Sequence, residues 1–134
     1  MDPDITLDRN AGGGLVALDL ASGQVLWEAP GIECGDRPQC SPAQTAAVTV
    51  IPGVVFSGSM SGDLRAFDVD SGEVLWSFNT ARQFETVNGA SGRGGALDAT
   101  GPIVAGGWVY TVSGYSKWGG LPGNVLLAFT AGTP

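Results

Sequence analysis

One eleven-residue stretch occurs twice. Ala17 to Trp27 (ALDLASGQVLW) aligns position by position with Ala66 to Trp76 (AFDVDSGEVLW), 49 residues further on. Self-similarity at a period of about 40 to 50 residues is the mark of an array built from one small supersecondary unit. The unit is legible in Val54 to Trp76 (VVFSGSMSGDLRAFDVDSGEVLW), where short β-rich runs alternate with Gly-containing turns. Val54 to Ser59, Leu64 to Val69 and Glu73 to Phe78 read as strands, separated by Ser61-Gly62-Asp63 and Asp70-Ser71-Gly72. Such runs joined by tight turns are consecutive hairpins. Ala46 to Ile51, closed by Pro52-Gly53, adds a strand in front. Four antiparallel strands in a meander make one blade of a β-propeller.

A third, weaker copy lies downstream. Gly107 to Gly114 parallels Gly53 to Met60, and Leu126 to Phe129 parallels Leu64 to Phe67. The physics of the repeated stretch is plain. Ser-Gly makes a tight turn, the Asp before it can bond turn amides, and the Trp offers a large flat surface to a neighbouring blade. Trp27 and Trp76 are therefore expected to pack blades together rather than to touch a ligand.

Composition agrees with an all-β chain of one domain. The 134 residues include 22 Gly, carry only 14% charged side chains and show no long amphipathic helical pattern. A net charge of −7 disfavours nucleic acid or an anionic membrane surface as partner. The absence of His removes Ser-His-Asp triads, His metal sites and C-x-x-C-H haem attachment. No run approaches the ~18 apolar residues that span a bilayer. Met1-Asp2-Pro3-Asp4 is acidic and lacks the regions of a signal peptide.

The reading gives a half blade at 15–28, a full blade at 46–80 and an incomplete blade at 101–130, about nine strands in all. A little over two blades do not close a ring, which needs about four or more. The expectation is a piece of a longer propeller, with self-association as the alternative.

Three stretches fall outside the blades. Residues 29–45 hold both cysteines, Cys34 and Cys40, in a Gly/Pro/Asp-rich loop, and a local disulfide is preferred over two free thiols. Two cysteines without His do not make a four-ligand zinc site. Residues 81–100 read as a second loop with Arg82, Glu85, Asn88 and Arg93 as polar landmarks. Residues 113–124 insert Tyr115, Lys117 and Trp118 among glycines, as a binding loop at one propeller rim would. Asp63, Asp68, Asp70 and Asp98 read as turn and cap carboxylates rather than a general base.

The pattern A-x-D-x-x-[ST]-G-x-x-x-W resembles the pyrroloquinoline quinone (PQQ) type repeat. The order of the pieces is similar to the C-terminal part of PQQ-dependent alcohol dehydrogenases, most of all the polyvinyl-alcohol dehydrogenase type. The residues that carry this are Cys34 to Gln44 (CGDRPQCSPAQ), Phe84 to Gly89 (FETVNG) and Gly114 to Phe129 (GYSKWGGLPGNVLLAF). The resemblance implies an exported bacterial propeller with PQQ near its axis beside Ca²⁺, oxidising a small alcohol or polyol to a carbonyl. It places Trp118 and Gly119 in a loop that closes over the quinone, Gln44 where a blade start faces the axis, and Asn88 at the rim. The family's catalytic Asp and Ca²⁺ ligands have no counterpart here, so the chain alone is expected to be inactive. The family's adjacent-cysteine pair is also absent. A different class also fits the bare repeat: a cofactor-free propeller that binds proteins as a scaffold.

Overall fold

The computed structural model describes residues 7–10, 12–115 and 118–131. Lys117 and the first four residues lie outside them. Eleven strands follow in chain order: β1 Gly14–Leu18, β2 Val25–Pro30, β3 Thr49–Ile51, β4 Val54–Gly58, β5 Asp63–Asp68, β6 Val74–Asn79, β7 Gln83–Glu85, β8 Ser91–Arg93, β9 Ile103–Ala105, β10 Trp108–Ser113 and β11 Val125–Thr130. They form a two-stranded sheet β1-β2, a four-stranded meander β3-β4-β5-β6, a three-stranded sheet β9-β10-β11 and a small hairpin β7-β8. Every pairing of these strands is antiparallel. The fold is all-β, a partial propeller of PQQ-type repeats with one complete blade between two partial ones.

Two details differ from the sequence reading. The strand expected over Ala46 to Ile51 shortens to Thr49–Ile51, and Ala46 instead makes an isolated parallel bridge with Ala99. Residues 81–100, read as loop, contain the hairpin β7-β8, paired Gln83↔Arg93, Phe84↔Gly92 and Glu85↔Ser91.

The repeated stretch folds twice in the same way. Ala17 stands opposite Trp27 and Ala66 opposite Trp76, and both ladders break register at the next residue. In the turns that follow, the Oδ1 atoms of Asp19 and Asp68 accept bonds from the amide and hydroxyl of Ser22 (both 2.7 Å) and Ser71 (2.8 and 2.9 Å). Gly23 and Gly72 then take φ of +71° and +72°, a region open to glycine at little cost. These bonds hold both carboxyls below the usual range: for Asp19 the Ser22 hydroxyl is the largest cause, for Asp68 the Ser71 amide. A folded-state pKa below the unfolded value stabilises above the unfolded pKa and is lost as pH falls through the folded one. Stability should therefore decline as pH drops below the ordinary Asp value of 3.8. Urea midpoints between pH 5 and pH 2 for the parent and Asp68→Asn test this; the variant should show the shallower decline.

Each repeat Trp reaches across to the following sheet. Trp27 stacks on Phe67 at 6.4 Å between ring centroids and donates its indole N–H to the Val69 carbonyl at 3.0 Å. A Cβ on Gly72 would strike that indole, so the glycine both turns the chain and admits the ring. Ala29, Val55 and Phe67 form the buried cluster beneath, flanked by Leu15, Trp27 and Val69. Trp76 repeats the move one sheet later, edge-on to Phe129 at 5.0 Å, with Phe78 also 5.0 Å from that ring. Phe129 is the counterpart of Phe67 in the third copy. Both tryptophans therefore join blades.

Candidate functional site

Strand direction decides where the loops go. In a four-stranded meander, the start of the first strand, the turn between the second and third, and the end of the fourth share one rim. Residues 29–45 precede β3 and residues 81–100 follow β6, so both lie at the rim of the β4-β5 turn. That turn, Ser59 to Gly62, is the hub. Met60, 2% exposed, donates its amide to the Ala43 carbonyl at 2.9 Å, and the Ser59 carbonyl accepts the Leu97 amide at 3.0 Å.

The insertion between β10 and β11 is strapped onto the same place. Ala96 donates to Leu121 at 2.8 Å and accepts from Gly114 at 2.9 Å. Asn124 donates its amide to Arg93 at 2.7 Å and returns its Oδ1 to the Arg93 amide at 2.9 Å. The crossing requires bare backbone. A Cβ on Gly95 would overlap the Leu121 carbonyl, and one on Gly120 would meet Ala96 and the Met60 Cε. Beneath it, Thr80 and Ser113 are 0% and 1% exposed and share a hydroxyl–hydroxyl bond of 2.8 Å, with the Ser113 hydroxyl also taking the Gly95 amide at 2.8 Å. All three loops thus converge around Met60.

The first loop is closed by a disulfide between Cys34 and Cys40, Cα atoms 5.8 Å apart. Within it Arg37 donates to the carbonyls of Cys34 (3.1 Å), Glu33 (2.8 Å) and Ser61 (3.1 Å) and lies 3.4 Å from the Asp63 carboxylate. Asp63, 5% exposed, also accepts from Ser61 at 2.6 Å and Asn79 at 2.8 Å. Asp63 therefore joins this loop to the central blade. The N-terminal lead-in adds a clamp: Arg9 donates to the carbonyls of Gly35 and Arg37 at 2.7 and 2.8 Å.

Of the residues singled out from sequence, Gln44 and the Trp118-Gly119 pair flank this hub and Asn88 does not. Gln44 follows Ala43, and its Oε1 accepts the Ser57 hydroxyl at 2.6 Å while its buried Nε2 has no partner. Gly119 adjoins Gly120, takes φ of +87°, and Trp118 is about half exposed. Asn88 sits at the tip of the β7-β8 hairpin, where its Oδ1 is occupied by the Thr86 hydroxyl and the Ala90 amide. Sequence reading missed Met60 and Ser57. The one available signal was an apolar Met inside the tight turn Ser59-Met60-Ser61-Gly62. Among the described residues no three His, Cys, Asp or Glu side chains gather closely enough to hold a metal ion.

The family model described as outer membrane protein assembly factor BamB, a PQQ-type repeat, matches residues 7–133. The chain belongs to the PQQ-repeat propeller family. Within it, the chain is 42% identical over 139 aligned residues to a polyvinylalcohol dehydrogenase from a Pseudomonas species, covering 95% of this chain and 22% of that protein. It is 40% identical over 131 residues to a polyvinylalcohol dehydrogenase of Sphingopyxis sp. strain 113P3, covering 87% of this chain and 20% of that one. The chain thus spans about a fifth of the length of these relatives. Among solved structures, BamB from Moraxella catarrhalis shares the fold, with a TM-score of 0.54 and 19% identity over 75% of this chain and 29% of that one.

Proposed function

We propose that this chain forms part of a PQQ-dependent alcohol dehydrogenase, an oxidoreductase that converts an alcohol or polyol to a carbonyl. The observation that carries the reading is the level of identity to the two polyvinylalcohol dehydrogenases, 42 and 40% over 95 and 87% of this chain. PQQ, when bound, supplies the redox chemistry by accepting two electrons from the alcohol. The residues of the hub fit such a group. Gln44 offers a buried amide N–H without a partner, suited to a carbonyl or carboxylate oxygen. Trp118 offers an aromatic face, and Gly119 beside it lets backbone approach a flat ligand closely. Asp63 is engaged in its loop contacts, and on this reading the general base and the Ca²⁺ ligands of the enzyme come from further blades. The chain is accordingly inactive by itself and works joined to further blades. An extracytoplasmic, oxidising compartment suits the Cys34–Cys40 disulfide.

Titration of the purified chain with PQQ in the presence of Ca²⁺, followed by quinone absorbance, tests this. Saturable binding that Trp118→Ala abolishes is expected. A folded chain that ignores PQQ even when joined to the remaining blades of such an enzyme would overturn the reading and favour a protein-binding scaffold.

A further inference from the structure

The side of the central sheet that meets the first sheet carries a buried positive charge. Alternate residues of a strand share a side, so Asp63, Arg65 and Phe67 of β5 lie together. Strand register sets Ser57 of β4 opposite Arg65, on that same side. Trp27 of the first sheet stacks there on Phe67. Arg65 is 6% exposed, and its guanidinium rests over the Phe67 ring, 4.8 Å from the centroid. Burial lowers its pKa, an effect that the Asp63 carboxylate opposes. The group stays charged all the same, because a guanidinium keeps its proton in proteins.

A buried charge is ordinarily paired and hydrogen-bonded. The Arg65 Nη2 is covered and has no hydrogen-bond partner among the described residues. Asp63 does not neutralise the site, because the same carboxylate also faces Arg37 at 3.4 Å and accepts from Ser61 and Asn79. One carboxylate thus stands against two guanidinium groups, leaving one positive charge over. Ser57 brings a second covered donor to this place. Its hydroxyl bonds the Gln44 Oε1 at 2.6 Å, and the Gln44 Nε2 is the neighbouring atom without a partner. Both atoms are already enclosed by this chain, so neither belongs to an open end of it.

We propose that Arg65 and Gln44 form a site for a small monovalent anion, a halide or a carboxylate group, between the first and central sheets. The two side chains offer hydrogens and no free lone pair, so the ligand must accept, and the surplus of one positive charge sets its sign. The Phe67 and Trp27 rings keep the surroundings apolar, where attraction between opposite charges is strongest. Gln44 Nε2 carries two hydrogens, so serving this anion leaves one for another ligand at the hub. The inference rests on the interface of these two sheets and is independent of the cofactor reading.

Urea midpoints of the purified chain test it at constant ionic strength, with sodium gluconate replaced stepwise by sodium chloride or sodium acetate. Gluconate is too bulky to be enclosed. An anion that binds only the folded chain should lower the unfolding constant about tenfold once its concentration is about ten times its Kd. A response to chloride identifies a halide site and a response to acetate a carboxylate site; either supports the proposal. Arg65→Met should lose the response and be no less stable than the parent in gluconate, because an unpaired buried charge leaves with the side chain. Gln44→Glu supplies a carboxylate of its own. In gluconate it should reach the stability that the parent gains from the anion, and it should ignore added chloride and acetate. A parent indifferent to both salts, or either variant responding as the parent does, would overturn the proposal. Gln44→Glu carries the test alone should Arg65→Met not fold. An indifferent parent leaves the PQQ titration standing, since that reads quinone absorbance.

Discussion

Trp76→Ala is expected to lower stability by about 3 kcal/mol, the low end of the range for deleting a large aromatic from a core, because the indole is partly buried. A domain of this size has on the order of 5–15 kcal/mol in total, so the variant should be unfolded or nearly so at moderate urea. The indole is one member of a ring cluster that fastens the central sheet to the last one. It stands 6.1 Å from Phe78 and 5.0 Å from Phe129, and Phe78 in turn lies 6.5 Å from Phe84 and carries Arg82 at 4.3 Å from its centroid. Removing the indole takes away the ring face shared by Phe78 and Phe129. Trp76→Phe keeps an aromatic face and should recover more than half of the loss. Urea midpoints by far-ultraviolet circular dichroism measure both; a shift for Trp76→Ala no larger than that of an exposed substitution such as Leu75→Ala would contradict the assignment.

Gly95→Ala is the second substitution with a large expected effect, about 2–3 kcal/mol from overpacking. The added methyl would overlap the Leu121 carbonyl, a backbone group with no rotamer to change. Either the 81–100 segment or the insertion must move, and the Ala96-to-Leu121 bond goes with it. The effect should therefore be local as well as global: amide exchange at Ala96 and Gly114 accelerates while the turns at Ser22 and Ser71 stay protected. If both regions loosen equally, the strap is not the element that fails. Gly12→Ala, where a Cβ meets nothing within 4 Å and φ is not positive, controls for the general effect of replacing a glycine.

The blades were legible because their information is local and repeated. Alternating side chains, an Asp-Ser-Gly turn and a Trp opposite an Ala specify a hairpin whatever surrounds it. The β7-β8 hairpin was not, since Gln83-Phe84-Glu85 and Ser91-Gly92-Arg93 have no apolar alternation to announce a strand. Its one sign is Asn88-Gly89, a hairpin-turn dipeptide, and the Asn88 Oδ1 accepts from Thr86 and Ala90 within that turn. The strand expected from Ala46 shortens because Ala46 and Ala47 bind segment 96–99 rather than β4. The hub around Met60 depends on contacts between residues 43, 60, 97 and 121, and no spacing rule reports contacts so far apart in sequence.

The turns at Asp19 and Asp68 have a consequence for how the chain acquires its shape. Each is completed by groups no more than five residues apart, so a β1-β2 or β5-β6 hairpin needs nothing distant to close. Loop closure over so few residues takes about microseconds, far less than assembling non-local sheets. The chain is thereby set to fold as prefabricated pieces that dock afterwards. The tryptophans then govern how long the assembled state lasts rather than how quickly it is reached.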